Sequence, residues 1–207
     1  MRMVQKLDDA YKKDFLEEIA SIGTGNASAL LSTLTDKEVK VTISTSDMVS
    51  PKDISKLVTA SKTLVVVQYA PIGGELRGNI LVVFPRESAL SLLDLLQEKE
   101  LGTTKWLSKI EQDILKKATR SLVNCYLDAI KGFLNIEIMP SELRIFSTFG
   151  DTINDLIDLT LKKGTKQIFY LNTKLRIEPD IEAEIFFLFE EDLSSFLMEK
   201  ASELLTR

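Results

Sequence analysis

The stretch Glu18-Ile19-Ala20-Ser21-Ile22-Gly23-Thr24-Gly25-Asn26-Ala27 lies inside a helical pattern that spans residues 14–34. Phe15, Ile19 and Ile22 recur at helical spacing, and Leu30, Leu31 and Leu34 extend the same apolar face. Asp14, Glu18 and Ser21 stand at i, i+4 and i+7, so a helix places them together. Their set is offset by one residue from the apolar set, which predicts that they face solvent. A charged helix face is ordinarily no more than a solvated one, and geometry alone gives these three no further role. Gly23 and Gly25 interrupt a good helix former at a cost of about 1 kcal/mol each, which points to close backbone approach at those positions. The Gly-Thr-Gly run is not a dinucleotide loop, because such a loop follows a strand and here a helix precedes it.

Outward from this helix, Val39-Lys40-Val41-Thr42-Ile43 alternates and is β-branched, which predicts a strand. Ser50-Pro51 marks a break in the chain beyond it. Thr63 to Tyr69 and Ile80 to Phe84 read as an antiparallel strand pair around the turn chemistry of Pro71-Ile72-Gly73-Gly74. Ser88 to Leu96 is apolar at helical spacing. The order then recurs: a helix over Glu111 to Leu134, a strand over Ile136 to Met139 ended by Pro140, and a helix over Asp151 to Leu161. Strands over Gln167 to Leu171 and Ile185 to Phe189 flank the turn Glu178-Pro179-Asp180, and a helix over Asp192 to Leu205 closes the chain. An offset of 99 places Asp14 on Asp113 and Val39 on Ile138, and an offset of 105 places Gly78 on Ala183 and Ile80 on Ile185. The predicted fold is α+β: a pseudo-twofold repeat with long helices packed on one antiparallel sheet. It is read as a single domain over 1–207, made of halves at about 10–100 and 108–207, with no Ser- or Gly-rich linker between them.

Composition narrows the chemistry. The 207 residues carry a net charge of −5 and no basic stripe, which argues against a nucleic-acid partner. There is no histidine, which removes histidine-based nucleophile systems, metal sites and acid–base chemistry. The single cysteine, Cys125, allows no internal disulfide and reads as a small buried hydrophobe. The first residues lack the apolar core of a signal peptide, and no run approaches a membrane span, so no membrane association and a cytoplasmic location are expected.

The 18–27 stretch resembles the signature that opens the first long helix of CheC-type chemotaxis proteins, Glu-Ile-Gly-Asn-Ile-Gly-Ala-Gly-Asn-Ala. Glu18, Ile19, Ile22, Gly23, Gly25, Asn26 and Ala27 match it. The likeness continues through the strand at Val39, the Pro51 region, the hairpin, the helix at Asp113, the strand ended by Pro140 and the final hairpin, so it covers nearly the whole chain. The resemblance implies the CheC/CheX/FliY phosphatase family, which removes phosphate from the aspartyl phosphate of a CheY-type response regulator in two-component signal transduction. Its working motif is Asp or Ser, three residues, Glu, two residues, Asn. The Asn is held to orient the attacking water and the Glu to dock against a regulator lysine. The family implies no cofactor and no metal.

Transferred residue by residue, the first copy of the motif holds Asp14, Glu18 and Ser21, with a hydroxyl where the amide belongs. A hydroxyl reaches less far and lacks the amide's separate donor and acceptor. The second copy holds Asp113, Lys117 and Arg120. Lys117 reverses the sign of the docking residue, and Arg120 binds phosphate but does not align water. That second site reads as inactive, and a solvated basic face over Lys116, Lys117 and Arg120 is the commoner meaning of such a cluster; the rarer one is that the pair holds a phosphorylated partner without hydrolysing it. A third departure bears on the CheD deamidase, whose docking in the family is associated with an Asp-Met pair. Here Phe146 stands in place of that Asp, which puts a CheD partnership in doubt; Phe146 and Phe149 read as core, the alternative being an apolar contact for another partner. The expected function is a partner-binding chemotaxis adaptor with little or no phosphatase activity. At most it would be a weak aspartyl-phosphate phosphatase working through the first helix. A flagellar or archaellar switch component is the further alternative, weighed down by the absence of the extra segments that such proteins carry.

Overall fold

The β-branched and aromatic runs form seven strands of one sheet, and the long amphipathic runs form the helices laid on it. The computed structural model describes residues 18, 21–58, 62–153, 155, 165, 168–189 and 196. The strands are β1 (Val39–Val49), β2 (Leu64–Gly74), β3 (Gly78–Pro85), β4 (Ile138–Pro140), β5 (Arg144–Phe149), β6 (Ile168–Ile177) and β7 (Ile181–Phe189). The helices are α1 (21–35), the single turn α2 (Ile54–Leu57), α3 (Arg86–Leu96) and α4 (Lys109–Leu134). Every strand pair is antiparallel, in the order β1-β6-β7-β3-β2-β4, with β5 also on β2.

The register carries the pseudo-twofold repeat. Leu81 of β3 lies opposite Phe186 of β7, and these are the two residues that the offset of 105 equates, so the axis passes between them. On either side the pairings mirror one another: Val39 faces Ile177 across β1 and β6, and Ile138 faces Gly74 across β4 and β2. The first strand of each half therefore pairs with the hairpin of the other half. The offset of 99 holds along the whole of β1. The irregularity between Ile43 and Thr45 in β1 maps onto the gap between β4 and β5. The helix ends repeat as well: Asp36 after α1 and Asn135 after α4 are both left-handed, at φ 52° and 51°, as residues closing a helix often are.

Several expected boundaries move. The first strand runs on to Val49, the sixth to Ile177, and the seventh begins at Ile181. Pro71-Ile72-Gly73-Gly74, expected as a turn, belongs to β2, and the chain reverses at 75–77. Proline is tolerated there because position 71 falls between the stretches of β2 paired with β5 and with β4. Its carbonyl points into that gap and accepts from the Ser141 N–H at 2.8 Å, so the N–H that proline lacks has no strand to serve. The helices expected over 151–161 and 192–205 fall almost wholly outside the described residues; Gly150–Thr152 is a short 3₁₀ turn.

Strand alternation sends side chains to two cores. One face carries Val66, Ile80, Val82, Phe84, Ile185 and Phe187 against α1, α3 and α4. The other carries Val65, Val67, Leu81, Phe186 and Leu188 against Ile54, Val58 and Ile153. Burying one such side chain is worth roughly 1.5–3 kcal/mol, so each face is a substantial source of stability.

Candidate functional site

Helix α1 turns its small residues inward. Gly23, Ala27, Leu31 and Thr35, at four-residue spacing, are the buried positions. A Cβ on Gly23 would lie 2.7 Å from Tyr126 Cδ1 and 3.1 Å from Tyr126 Cα, so α1 and α4 approach each other there more closely than any other residue would allow. Gly25 has open space around it, so the close approach expected at both glycines exists at Gly23 alone. The expected inner face is corrected in the same way. Ile22 is 43% exposed and Leu34 also faces solvent, because the helix is turned so that Gly23 meets Tyr126 of α4. With the inner stripe set by Gly23, the opposite face presents Glu18, Ser21, Ile22 and Gly25 to solvent. Asp14 lies outside the described residues, as do Phe15 and Ile19.

Helix α4 is anchored at both layers. Ser108 accepts from the Ile110 N–H at 3.3 Å, and its hydroxyl donates to Glu111, forming a capping box. The Ser108 hydroxyl is the main cause holding the Glu111 carboxyl below its ordinary range. Thr119 accepts from Gln68 Nε2 at 2.6 Å in the buried interface with β2. The Tyr126 hydroxyl lies 3.3 Å from Thr173 Oγ1 on β6, and burial pushes the phenol pKa up. Cys125, expected to be buried, is half-buried; its thiol donates to the Ser121 carbonyl and is pushed up by burial.

The outward side of α4 carries the second motif. Asp113 is exposed and accepts from Lys109 Nζ at 2.8 Å, a hydrogen bond that raises the lysine's pKa. Lys117 is exposed, Lys116 and Arg120 are partly so, and none of the three pairs with a described carboxylate. The offset of 99 that the strand register requires equates Glu18 with Lys117 and Ser21 with Arg120, so the two motifs occupy equivalent backbone positions. Chemically, one face offers a carboxylate and a hydroxyl, and the other offers two cations. Neither presents a side-chain amide at these positions.

The sequence reading missed the loop that leads into α4. Asp94, fully buried at the end of α3, accepts backbone N–H bonds from Gly102 at 2.7 Å, Thr103 at 3.0 Å and Thr104 at 2.9 Å. Burial opposes its ionisation, but hydrogen bonds from Thr104, Gly102 and Thr103 outweigh that and hold the carboxyl below its ordinary range. Arg86 donates to the Lys105 carbonyl at 2.6 Å and Gln112 to the Leu107 carbonyl at 3.1 Å. Between these two ties Trp106 stands 73% exposed, and one helical turn on Ile110 is 68% exposed. A lone Asp within the apolar run Leu90 to Leu96, followed by Gly102, was the available signal.

Phe146 and Phe149 part company. Phe146 lies in β5 opposite Val67 and packs against the second core, but Phe149 is 57% exposed beside the exposed Leu64, so the expectation of core is corrected for Phe149. Among the described residues no three acidic or cysteine side chains gather in a way that could hold a metal ion, and no helix is long and apolar enough to cross a membrane.

No protein-family model matches the chain. Among solved structures, Thermotoga maritima FliY superimposes with a TM-score of 0.71 at 17% identity, covering 93% of this chain and 96% of that one. The FliM middle domain from H. pylori gives 0.64 at 10% identity, covering 91% and 97%. CheX in the CheX-CheY-BeF3-Mg complex from Borrelia burgdorferi gives 0.52 at 12% identity, covering 83% and 97%. The fold implied by the 18–27 stretch is therefore the one observed: the CheC/CheX/FliY fold, shared with chemotaxis and flagellar-switch proteins.

Proposed function

We propose that this chain is a chemotaxis signalling module that binds a CheY-type response regulator as an adaptor and hydrolyses its aspartyl phosphate little or not at all. The observation that carries the reading is the pair of equivalent, outward-facing motif positions. Ser21 on α1 and Arg120 on α4 stand where a water-aligning amide is needed, and Lys117 stands where a carboxylate would dock. Phosphoryl transfer depends on positioning and on charge more than on covalent chemistry, so loss of the positioning amide removes the main contribution. Asp14, Glu18 and Ser21 remain as a degenerate first site that could sustain weak phosphatase activity; Asp113, Lys117 and Arg120 make an inactive second one. On this reading the whole of 1–207 is one cytoplasmic domain with halves at about 10–100 and 108–207, supported by the strand exchange between halves. A CheD partner is disfavoured by Phe146, which sits within a strand.

A switch-component role is the second reading. It is favoured by the closer superposition on FliY and the FliM middle domain than on CheX.

The test is the rate of phosphate loss from phosphorylated CheY of the same organism, measured alone, with the native protein and with Ser21→Asn. The native protein is expected to leave the rate unchanged, and Ser21→Asn to raise it by about tenfold or more if the first face is otherwise intact. Clear acceleration by the native protein would sink the adaptor reading and assign Ser21 a water-placing role.

A further inference from the structure

Resting on that reading, we propose that the outward stripe of α4, from Trp106 to Arg120, is the docking surface, and that it captures the phosphorylated form of a receiver domain and holds its acyl phosphate unhydrolysed. Ile110, Asp113, Lys117 and Arg120 fall within an arc of about 80° and a length of about 15 Å along the helix. One end of this surface is apolar and the other cationic. The apolar end is an anchor of the kind that concentrates binding energy: an exposed tryptophan, with the exposed Ile110 four residues on. The ties from Asp94, Arg86 and Gln112 hold the backbone on both sides of Trp106, so little ordering cost remains to be met on association.

The cationic end specifies the occupant. The chain as a whole is acidic at −5, yet Lys116, Lys117 and Arg120 meet no described counter-charge, and Asp113, one turn before Lys116 and Lys117 on the same helix, is already held by Lys109. Such a face is complementary to a protein surface that is anionic and becomes more so on phosphorylation. Lys117 and Arg120, three residues apart, stand about 5–6 Å apart at their Cβ atoms, close enough to bracket one phosphoryl group. Both side chains are hydrogen-bond donors only and neither offers an acceptor to orient a water, so the group is gripped without being attacked. The equivalent face of α1 carries Glu18 where this one carries Lys117 and would repel the same group.

The experiment measures binding of the purified CheY-type regulator, with and without beryllofluoride and Mg²⁺ as the acyl-phosphate mimic, by calorimetry on the full chain. Trp106 is the chain's one tryptophan, so 5-fluorotryptophan labelling gives a single ¹⁹F signal that reports its burial. The loaded regulator is expected to bind about tenfold more tightly than the unloaded one, as one or two charge-assisted hydrogen bonds would give, and to shift the ¹⁹F signal. Trp106→Ala should weaken both forms by about thirtyfold. Lys117→Glu with Arg120→Glu should erase the preference for the loaded form, and Glu18→Lys should leave it. Because these side chains are exposed, the fold should survive each change, which far-UV circular dichroism checks. A preference that survives the double charge reversal, or one abolished by Glu18→Lys, overturns the α4 assignment and leaves the adaptor reading standing. Failure of both regulator forms to bind the native protein overturns the assignment and the adaptor reading together.

Discussion

Helices α1 and α4 hold equivalent places about one axis, are each followed by a left-handed residue, and are related by one offset of 99. Their side chains nevertheless divide into opposites. Where α1 brings Gly23 and Ala27 to the shared interface, α4 brings Leu122 and Tyr126. Where α1 shows Glu18 and Ser21 to solvent, α4 shows Lys117 and Arg120. The first contrast is a packing constraint: only the combined volume at a helix contact is fixed, so one helix can lose bulk if its partner keeps it. The second is free of packing altogether, and exposed positions can reverse charge with little effect on the fold. A repeat can therefore keep its backbone while its two outward faces come to suit different chemistry.

The heaviest way to break the comparison is to loosen α4 alone. Asp94→Asn removes the buried charge that accepts from three loop N–H groups, which is expected to cost about 2–3 kcal/mol by urea unfolding. Amide exchange at 102–104 should rise while α1 keeps its protection. The pH dependence has a definite sign. Asp94 has a folded pKa below its ordinary value, so its contribution is fully present above the ordinary carboxylate range and is lost as pH falls through the folded value. The native protein should lose stability in that acid window, and Asp94→Asn should show a shallower decline. Equal acid profiles would mean that the loop is not held by this charge.

Gly23→Ala tests the division of bulk. The added Cβ meets Tyr126 at 2.7 Å, and the overpacking cost, about 1–3 kcal/mol, should exceed the helix-propensity gain of about 1 kcal/mol. A net loss, partly recovered by Tyr126→Leu in a double-mutant cycle, is expected; additivity would show that the two positions do not share a contact. The smallest effect sharpens the same point. Gly25→Ala enters open space and should stabilise by up to about 1 kcal/mol through propensity alone. A loss there would mean that Gly25 faces something in the folded protein after all.

How far the sequence spoke depended on whether a property was local. The helix pattern over 111–134 and the β-branched strands are properties of short segments, so periodicity revealed them. The weak 99 and 105 offsets were enough to reveal the repeat, because backbone equivalence survives when side chains do not. The motif positions were placed on outward faces for the same reason: the stripe containing Glu18 and Ser21, and that containing Lys117 and Arg120, follow from helical spacing.

The tertiary structure decided what depends on a partner distant in sequence. Pro71 read as a turn because its tolerance in β2 comes from the gap between β4 and β5, some seventy residues on. Ile22 read as core because nothing local says that Tyr126 occupies the space between the helices. Asp94 read as an unremarkable helix residue because its partners are the backbone N–H groups of a loop that folds back on it, and backbone groups carry no signature in sequence. Spacing along the chain fixed which residues share a face; which face is covered, and by what, was set by contacts that only the closed sheet brings together.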